Sequence, residues 1–225
     1  MSERPNPWSA VPPRSPYVLQ CDRDAINRYN AKAGKQYEVR LDALPEPFVG
    51  ITTAPVVLLN LNPGFDDDDP EVHARPEFQA VLRNSYTHSP ADFPFYFLDP
   101  TLESPGRKWW GRKLRSLLEK FKPKELARAI LCVEYFPYHS IRFRHANLQL
   151  PSQAYGFDLV RSAISRGSVV VIMRAERHWK EKVPELDGYS RAFRLNSSQN
   201  VMVSPRNCAG FDDVVSTVRN RIVDA

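Results

Sequence analysis

Short, uninterrupted apolar runs alternate along this chain with amphipathic stretches, and the pattern predicts an α/β fold. The apolar runs cover residues 56–60, 129–136, 168–173 and 200–204, and each ends in polar, turn-forming residues. Runs this short, bounded by turn signals, are typical of strands buried on both faces of a parallel sheet. We therefore predict four parallel strands in the centre of a sheet with helices on both faces.

The stretches between the apolar runs have helical periodicity. Pro70 suits the first turn of one helix, and Gly167 suits the end of another. Residues 1–20 are rich in proline and predict an irregular N-terminal arm on a single α/β domain that spans residues 1–225. Helices are predicted at residues 22–33, 70–83, 109–121, 151–166, 175–182 and 211–223.

Composition narrows the class of protein. Hydrophobic residues make up 42% and charged residues 25% of the 225, as in ordinary globular proteins. The sequence contains neither GxGxxG nor GxxxxGK[ST], so we expect no dinucleotide cofactor and no P-loop, and we predict no metal. No stretch approaches the roughly 18 apolar residues of a membrane span, so we expect no membrane partner. Three scattered cysteines favour reduced thiols and a cytoplasmic location.

The carboxyl ends of the predicted strands should form a substrate site. In an open parallel sheet these ends share one edge, and ligands bind there. Asn62 and His139 are the candidate catalytic residues: an amide offers both a hydrogen-bond donor and an acceptor, and an imidazole can move a proton near neutral pH. The candidate substrate-binding residues are Asn60, Pro63, Gly64, Phe65, Tyr138, Ser140, Arg174, Ser204 and Asn207.

His139 and two further polar features near the predicted site each allow two explanations. His139 is about as well explained by local hydrogen bonds at a strand end. Glu134, a carboxylate inside an apolar run, is either a core residue paired with an arginine, which we favour, or an acid with a raised pKa. The four aspartates at residues 66–69 could bind a divalent cation, but they fit better as a solvated turn before a helix.

A net charge of +5 and a pI of about 9.1 make a polyanionic partner plausible. Basic residues interleaved with aromatic residues suit contacts with phosphates and bases together. A solvated charged surface explains them equally well. The candidates for contact with duplex DNA are Arg107, Lys108, Arg142, Arg144, His145 and Arg206.

The segment Asn60-Leu61-Asn62-Pro63-Gly64 resembles the Gly-x-Asn-Pro-Gly motif of the uracil-DNA glycosylase superfamily, in its mismatch-specific branch. The order of strands and polar loops that follows, up to a Ser-Pro turn at Ser204, is also similar. The resemblance implies a three-layer α/β/α fold with a four-stranded parallel sheet and a pocket for a base swung out of a duplex. It further implies that Asn62 positions the attacking water and that Phe65 stacks on the base.

The chain departs from the motif at two places. Asn60 stands where the family has its first glycine, and the last loop has Ser204-Pro205 without the histidine that supports charge on the departing base. Three functions therefore remain open. The first is a glycosylase-like protein that binds DNA and a flipped base. The second is a non-catalytic nucleic-acid-binding module on the same fold. The third is an unrelated α/β enzyme for a small anionic, nucleotide-like substrate.

Overall fold

A five-stranded, mostly parallel sheet forms the centre of the computed structural model, which describes residues 4–197 and 199–223. Its order is β1-β3-β2-β4-β5, with β1 antiparallel to β3 and every other neighbouring pair parallel. The predicted α/β class is confirmed, but the sheet has five strands rather than four. The strands are β1 Phe48–Gly50, β2 Val56–Asn60, β3 Ile130–Glu134, β4 Val169–Ile172 and β5 Ala192–Arg194.

The last strand is not where the apolar pattern placed it. Residues 200–204 form an irregular segment in which the Val203 N–H donates to the carbonyl of Lys113 at 3.0 Å, so this backbone bonds to a helix instead of to the sheet. The strand beside β4 is Ala192–Arg194, which is only partly buried and therefore lacks an apolar run. A continuous apolar run predicts that a segment is buried, but it does not distinguish a buried strand from a buried loop. Here the buried segment is a loop.

The helices flank the sheet close to their predicted positions, with two breaks. The backbone of Arg75 is extended (φ −67°, ψ 129°) because Pro76 follows it, and this divides the predicted helix at 70–83 into two. The helix predicted at 109–121 breaks at Leu114. The helices are α1 Gln20–Asn30, α2 Asp69–Ala74, α3 Pro76–Tyr86, α4 Pro105–Lys113, α5 Arg115–Leu118, α6 Pro123–Ala127, α7 Gln153–Ser165, α8 Glu176–Lys182 and α9 Phe211–Val223.

Hydrogen bonds beyond the strands fix the polar turn that follows β2. The carbonyl of Asn60 accepts the indole N–H of Trp179 in α8 at 2.8 Å. The Phe136 N–H donates to the carbonyl of Leu61 at 2.8 Å, so the chains after β2 and β3 stay together past the end of the ladder. The segments carrying Asn62 and His139 are therefore held side by side.

The N-terminal arm is irregular over most of its described length, and side chains fasten it to the body. Trp8 is buried in the core. The Arg83 guanidinium donates to the carbonyls of Val11 and Pro12 at 3.2 and 2.8 Å. In the ranges that the structure covers, every helix is too short or too polar to cross a membrane.

Candidate functional site

A cavity of about 340 Å³ lies at the carboxyl ends of β2, β3 and β4. Its volume falls in the range of about 300–1,000 Å³ that is typical of small-molecule sites. Most of the predicted substrate-site residues meet here, which supports the argument from converging strand ends. Those that line the cavity are Asn60, Asn62, Pro63, Gly64, Phe65, His139, Ser140 and Arg174.

The remaining predicted substrate residues lie outside this lining. Tyr138 is buried on another side of the core, where its hydroxyl donates to Asp22 at 2.7 Å. Asn207 uses its side chain to hold the loop before it, accepting from the Ser197 N–H and donating to two carbonyls. Ser204 belongs to the same loop, and its carbonyl accepts from the backbone N–H of Asn207 at 3.0 Å.

Asn62 connects the two central strand ends. Its Nδ2 donates to the Ser140 hydroxyl at 3.0 Å and to the carbonyl of Pro63 at 2.7 Å. Because these bonds fix the amide nitrogen, Oδ1 is the remaining polar atom, and no described residue donates a hydrogen bond to it. The side chain is half-buried at the cavity wall and presents a hydrogen-bond acceptor.

His139 lies beneath the Asn-Pro-Gly turn with both ring nitrogens occupied. Its Nδ1 is 2.5 Å from the carbonyl oxygen of Gly64, and its Nε2 is 3.0 Å from that of Leu44. Burial lowers the pKa of this imidazole, while the Asp69 carboxylate and the two carbonyls favour the protonated ring. A neutral ring has one N–H and donates to only one of these carbonyls, so both contacts are hydrogen bonds only when the ring is protonated. The catalytic role of His139 stays a prediction, and it would require at least one of these contacts to open.

Glu46, His73 and His139 form a buried cluster whose nearest ligand atoms lie within 4.8 Å of one another. The Leu44 N–H donates to Nδ1 of His73 at 2.9 Å, so the proton of the neutral ring is on Nε2, which lies 3.8 Å from a Glu46 oxygen. His73 therefore has no lone pair free for an ion. As arranged, the cluster fits an internal polar network better than a metal centre.

Three carboxyl groups beside the cavity have raised pKa values. Burial raises the pKa of Glu134 to about 8, although the Asn60 amide donates to its Oε1 at 2.9 Å and Arg174 opposes the shift. Burial, with Asp69 and Glu134 nearby, raises the pKa of Glu46 well above its usual range. Burial also raises the pKa of Asp69, although the electrostatic interaction with His139 lowers it.

The arginine pairing that we favoured for Glu134 is not observed. Arg174 influences its pKa, but no ion pair within 4.0 Å reaches Glu134 from the parts of the chain that are described. The carboxyl instead accepts a hydrogen bond from the Asn60 amide, and its raised pKa favours the protonated form near neutral pH. The cavity is therefore less negative than the sequence suggests.

Aromatic rings from four segments form much of the remaining wall. Phe65, Phe97, Trp109 and Phe143 line the cavity. The guanidinium of Arg40 lies 3.9 Å from the centre of the Phe65 ring, so one face of this ring is already covered. The sequence did not single out Phe97 for this position, because its aromatic-rich loop carries no periodic pattern.

The rim of the cavity is basic on one side and acidic on another. Arg112 on α4 and Arg174 line it, and together with burial they lower the pKa of Lys113. Residues 66–69 form a turn before α2, as we favoured, but its last carboxylate is not solvated: Asp69 is 7% exposed and accepts the Asp66 N–H at 2.7 Å. An anionic ligand would therefore meet the α4 side of the rim more favourably.

The predicted nucleic-acid contacts differ in accessibility. Lys108, Arg142, Arg144 and Arg206 are exposed. Arg107 is tied to the carbonyl of Asp99 and the carboxylate of Glu103.

His145 is placed in the core, so the surface contact predicted for it is wrong for this structure. It is only 1% exposed, and neither ring nitrogen has a hydrogen-bond partner among the described residues. The rings of Tyr29, Phe136 and Phe143 surround it. Burial lowers its pKa to about 4.

Comparison with models of protein families, with curated proteins and with solved structures gives no match for this chain.

Proposed function

We propose that this chain is a uracil-DNA glycosylase-like protein that binds duplex DNA and takes a flipped base into the strand-end cavity. One observation carries the proposal: Asn62 presents an unbonded amide oxygen to a cavity walled by aromatic rings. A flipped base needs stacking surfaces and polar groups at its edge, and both are present on this wall. The three cysteines, all free thiols, suit a reducing cytoplasm.

The reaction that fits this wall is hydrolysis of an N-glycosidic bond. Asn62 Oδ1 accepts a hydrogen bond from a water and aims its oxygen at the sugar carbon that carries the base. The carbon–oxygen bond forms as the carbon–nitrogen bond breaks, and the base leaves with the bonding electron pair. The water releases its proton to the solvent, and the base takes a proton from Glu46, which the solvent then reprotonates.

The cavity carboxyls fit the leaving base. Burial raises the pKa of Glu46 and of Glu134, which weakens their repulsion of the electron-rich ring. Glu46 lines the cavity and can donate its proton to the departing base. In the family, the histidine that is missing from the last loop here supports the charge on that base.

An assay for abasic sites tests this function directly. Duplexes containing uracil, mismatched thymine or an alkylated purine serve as substrates, and we expect cleavage of at least one after alkaline treatment. Asn62→Ala should slow it by roughly a hundredfold to ten-thousandfold. Asn207→Ala is the matched control, because that asparagine lies outside the cavity lining. No cleavage of any substrate by the unmodified chain would contradict an active glycosylase and leave the non-catalytic nucleic-acid module.

One observation favours a second candidate, an enzyme for a small anionic, nucleotide-like substrate. Arg174 lines the cavity, and its buried Nε has no hydrogen-bond partner in the described structure. A guanidinium in this state suits a phosphate or carboxylate. Binding of a nucleoside monophosphate, but not of the nucleoside, would support this candidate if Arg174→Gln removed the difference.

A further inference from the structure

We propose that a second cavity, near the amino ends of β2 and β3, binds a small organic anion with a flat apolar body. This amino-end cavity has a volume of about 710 Å³, larger than the strand-end cavity of about 340 Å³. Among the described residues, none lines both cavities. The inference is independent of the proposed function, because it concerns the opposite edge of the sheet.

The walls of the amino-end cavity come from segments that are distant in sequence. The turn from β1 to β2, the end of α3 with the loop after it, the start of α6 and the end of α9 all contribute. The loop after α3 is fastened to α6, since the Phe95 N–H donates to the carbonyl of Ala127 at 3.2 Å. Such a largely preformed cavity, with a volume in the range of about 300–1,000 Å³, is typical of small-molecule sites.

Flat apolar groups form one part of the lining. Phe93 and Tyr96 contribute aromatic rings, and Pro90 and Pro94 contribute rigid pyrrolidine rings. Tyr96 is buried, and Phe93 is partly buried against the core. Flat walls of this kind fit a planar apolar group, whose burial removes its surface from water.

Basic side chains supply a place for an acidic group. Lys124 and Arg128 line the cavity, and their Nζ and Nη2 atoms lie 2.7 and 3.2 Å from the same oxygen, Oδ1 of Asp92. Asp92 is exposed and comes from the loop after α3. The two cations therefore already hold one carboxylate oxygen together, and the acidic group of a ligand can replace Asp92 there.

Lys122 is a third cation of the lining, and it is available to a ligand. It is exposed, and no carboxylate of the described residues lies within 4.0 Å of its ammonium group. Two other acidic residues of the lining are engaged elsewhere. Asp99 accepts from the N–H and the hydroxyl of Thr101, and Glu125 accepts a backbone N–H at 2.9 Å. Cations outnumber carboxylates among the described lining residues, which favours an anion.

Two polar atoms of the lining residues have no partner. His88 follows the end of α3 with a φ of +54°, at a position where helices usually have glycine, and its N–H donates to the carbonyl of Ser85 at 3.0 Å. Both residues line the cavity, and both His88 Nδ1 and Ser85 Oγ are buried without a hydrogen-bond partner among the described residues. A buried polar atom without a partner costs free energy, so a ligand that supplies one gains affinity.

Binding of 1-anilinonaphthalene-8-sulfonate, a fluorescent aromatic sulfonate, to the folded chain tests the proposal. We expect saturable binding that weakens as salt rises. Lys122→Gln should weaken it by roughly twofold to fivefold, because an exposed charge is lost from the site. Asp92→Asn should strengthen it by a similar factor, because Lys124 and Arg128 are released for the sulfonate. The neutral analogue N-phenyl-1-naphthylamine should bind these variants and the unmodified chain equally.

Arg112→Gln is the matched control, because Arg112 is exposed and lines the strand-end cavity but not the amino-end cavity. Sulfonate binding that falls in Arg112→Gln and not in Lys122→Gln would place the probe in the strand-end cavity and overturn the proposal. Equal sulfonate binding by Lys122→Gln, Asp92→Asn and the unmodified chain, equal losses for both probes, or no saturable binding would also overturn it. The assay for base excision is separate, so each of these outcomes leaves the proposed function standing.

Discussion

Asn62 and Asn207 both occupy polar turns that follow apolar runs, yet their surroundings differ. Asn62 follows a true strand, and its amide reaches across to Ser140 on the neighbouring strand end. Asn207 follows an irregular segment, and its side chain binds the backbone of its own loop at Ser197, Asn200 and Met202. A polar turn becomes part of a site when the run before it belongs to the sheet, because only then do the strand ends converge.

Removing Asn62 should give the largest effect on activity. Asn62→Ala is expected to slow base excision by roughly a hundredfold to ten-thousandfold, as for other groups that position a reacting water. Thermal unfolding should change little, since the side chain is half-buried and bonded to a hydroxyl and a nearby carbonyl. A variant with full activity would mean that the two turns do not differ in function.

The Glu134 carboxyl should make stability fall as pH rises from about 4.5 to about 8. Its pKa is raised from 4.5 to about 8 in the folded chain, so the folded state holds the proton more tightly. The stabilisation is complete below the unfolded pKa and is lost as pH rises through about 8, up to roughly 5 kcal/mol.

Denaturant unfolding from pH 5 to 9 measures this loss. Glu134→Gln should flatten the decline, because the amide has no proton to lose. The exposed Asp24→Asn is the control and should keep the decline. An unchanged slope in Glu134→Gln would show that Glu134 is ionised at neutral pH.

His145 should make the chain sensitive to acid. Burial lowers its pKa from 6.5 to about 4, so its contribution to stability is complete above pH 6.5 and is lost as pH falls through about 4. The loss amounts to roughly 3 kcal/mol. His145→Phe keeps a ring among Tyr29, Phe136 and Phe143 and should remove this part of the acid sensitivity. His178→Phe on α8 serves as the control, and equal acid titrations of the two variants would place His145 in contact with water.

Removing Asn207 should give the smallest effect, and it should fall on stability. Asn207→Ala loses three hydrogen bonds at a partly exposed position and is expected to lower the free energy of unfolding by about 1–2 kcal/mol. Activity should persist in the folded fraction. A large loss of excision at full stability would instead draw the last loop into the site.

The pattern of apolar residues predicted the central strands of the sheet but not the strands at its two edges. The residues of β2 from Val56 to Leu59 have no exposed surface, and a strand buried on both faces shows itself as an apolar run. β1 and β5 are three residues long, which is too short to establish a period.

The sequence likewise predicted only the part of the candidate site that lies at the ends of the central strands. Asn62 and Ser140 follow from the ends of β2 and β3. The positions of Glu46 and His73 do not follow from the strand pattern. Glu46 lies in a loop between Pro45 and Pro47, and His73 lies in the short helix α2. Contacts between residues distant in sequence bring them to the site, such as the hydrogen bond from the Glu46 N–H to the carbonyl of Pro137.

The shortness of the two edge strands also bears on how the chain behaves at high concentration. Exposed edge strands are templates on which another chain can add a strand. β1 stops at Gly50, whose φ of +121° turns the backbone away, and a Cβ there would lie 2.3 Å from the carbonyl oxygen of Ile130. β5 ends in the exposed Arg194, whose Nη1 lies 3.7 Å from Oε2 of Glu176. Neither edge offers a long, flat, uncharged ladder, so the sheet is protected at both sides against edge-to-edge aggregation.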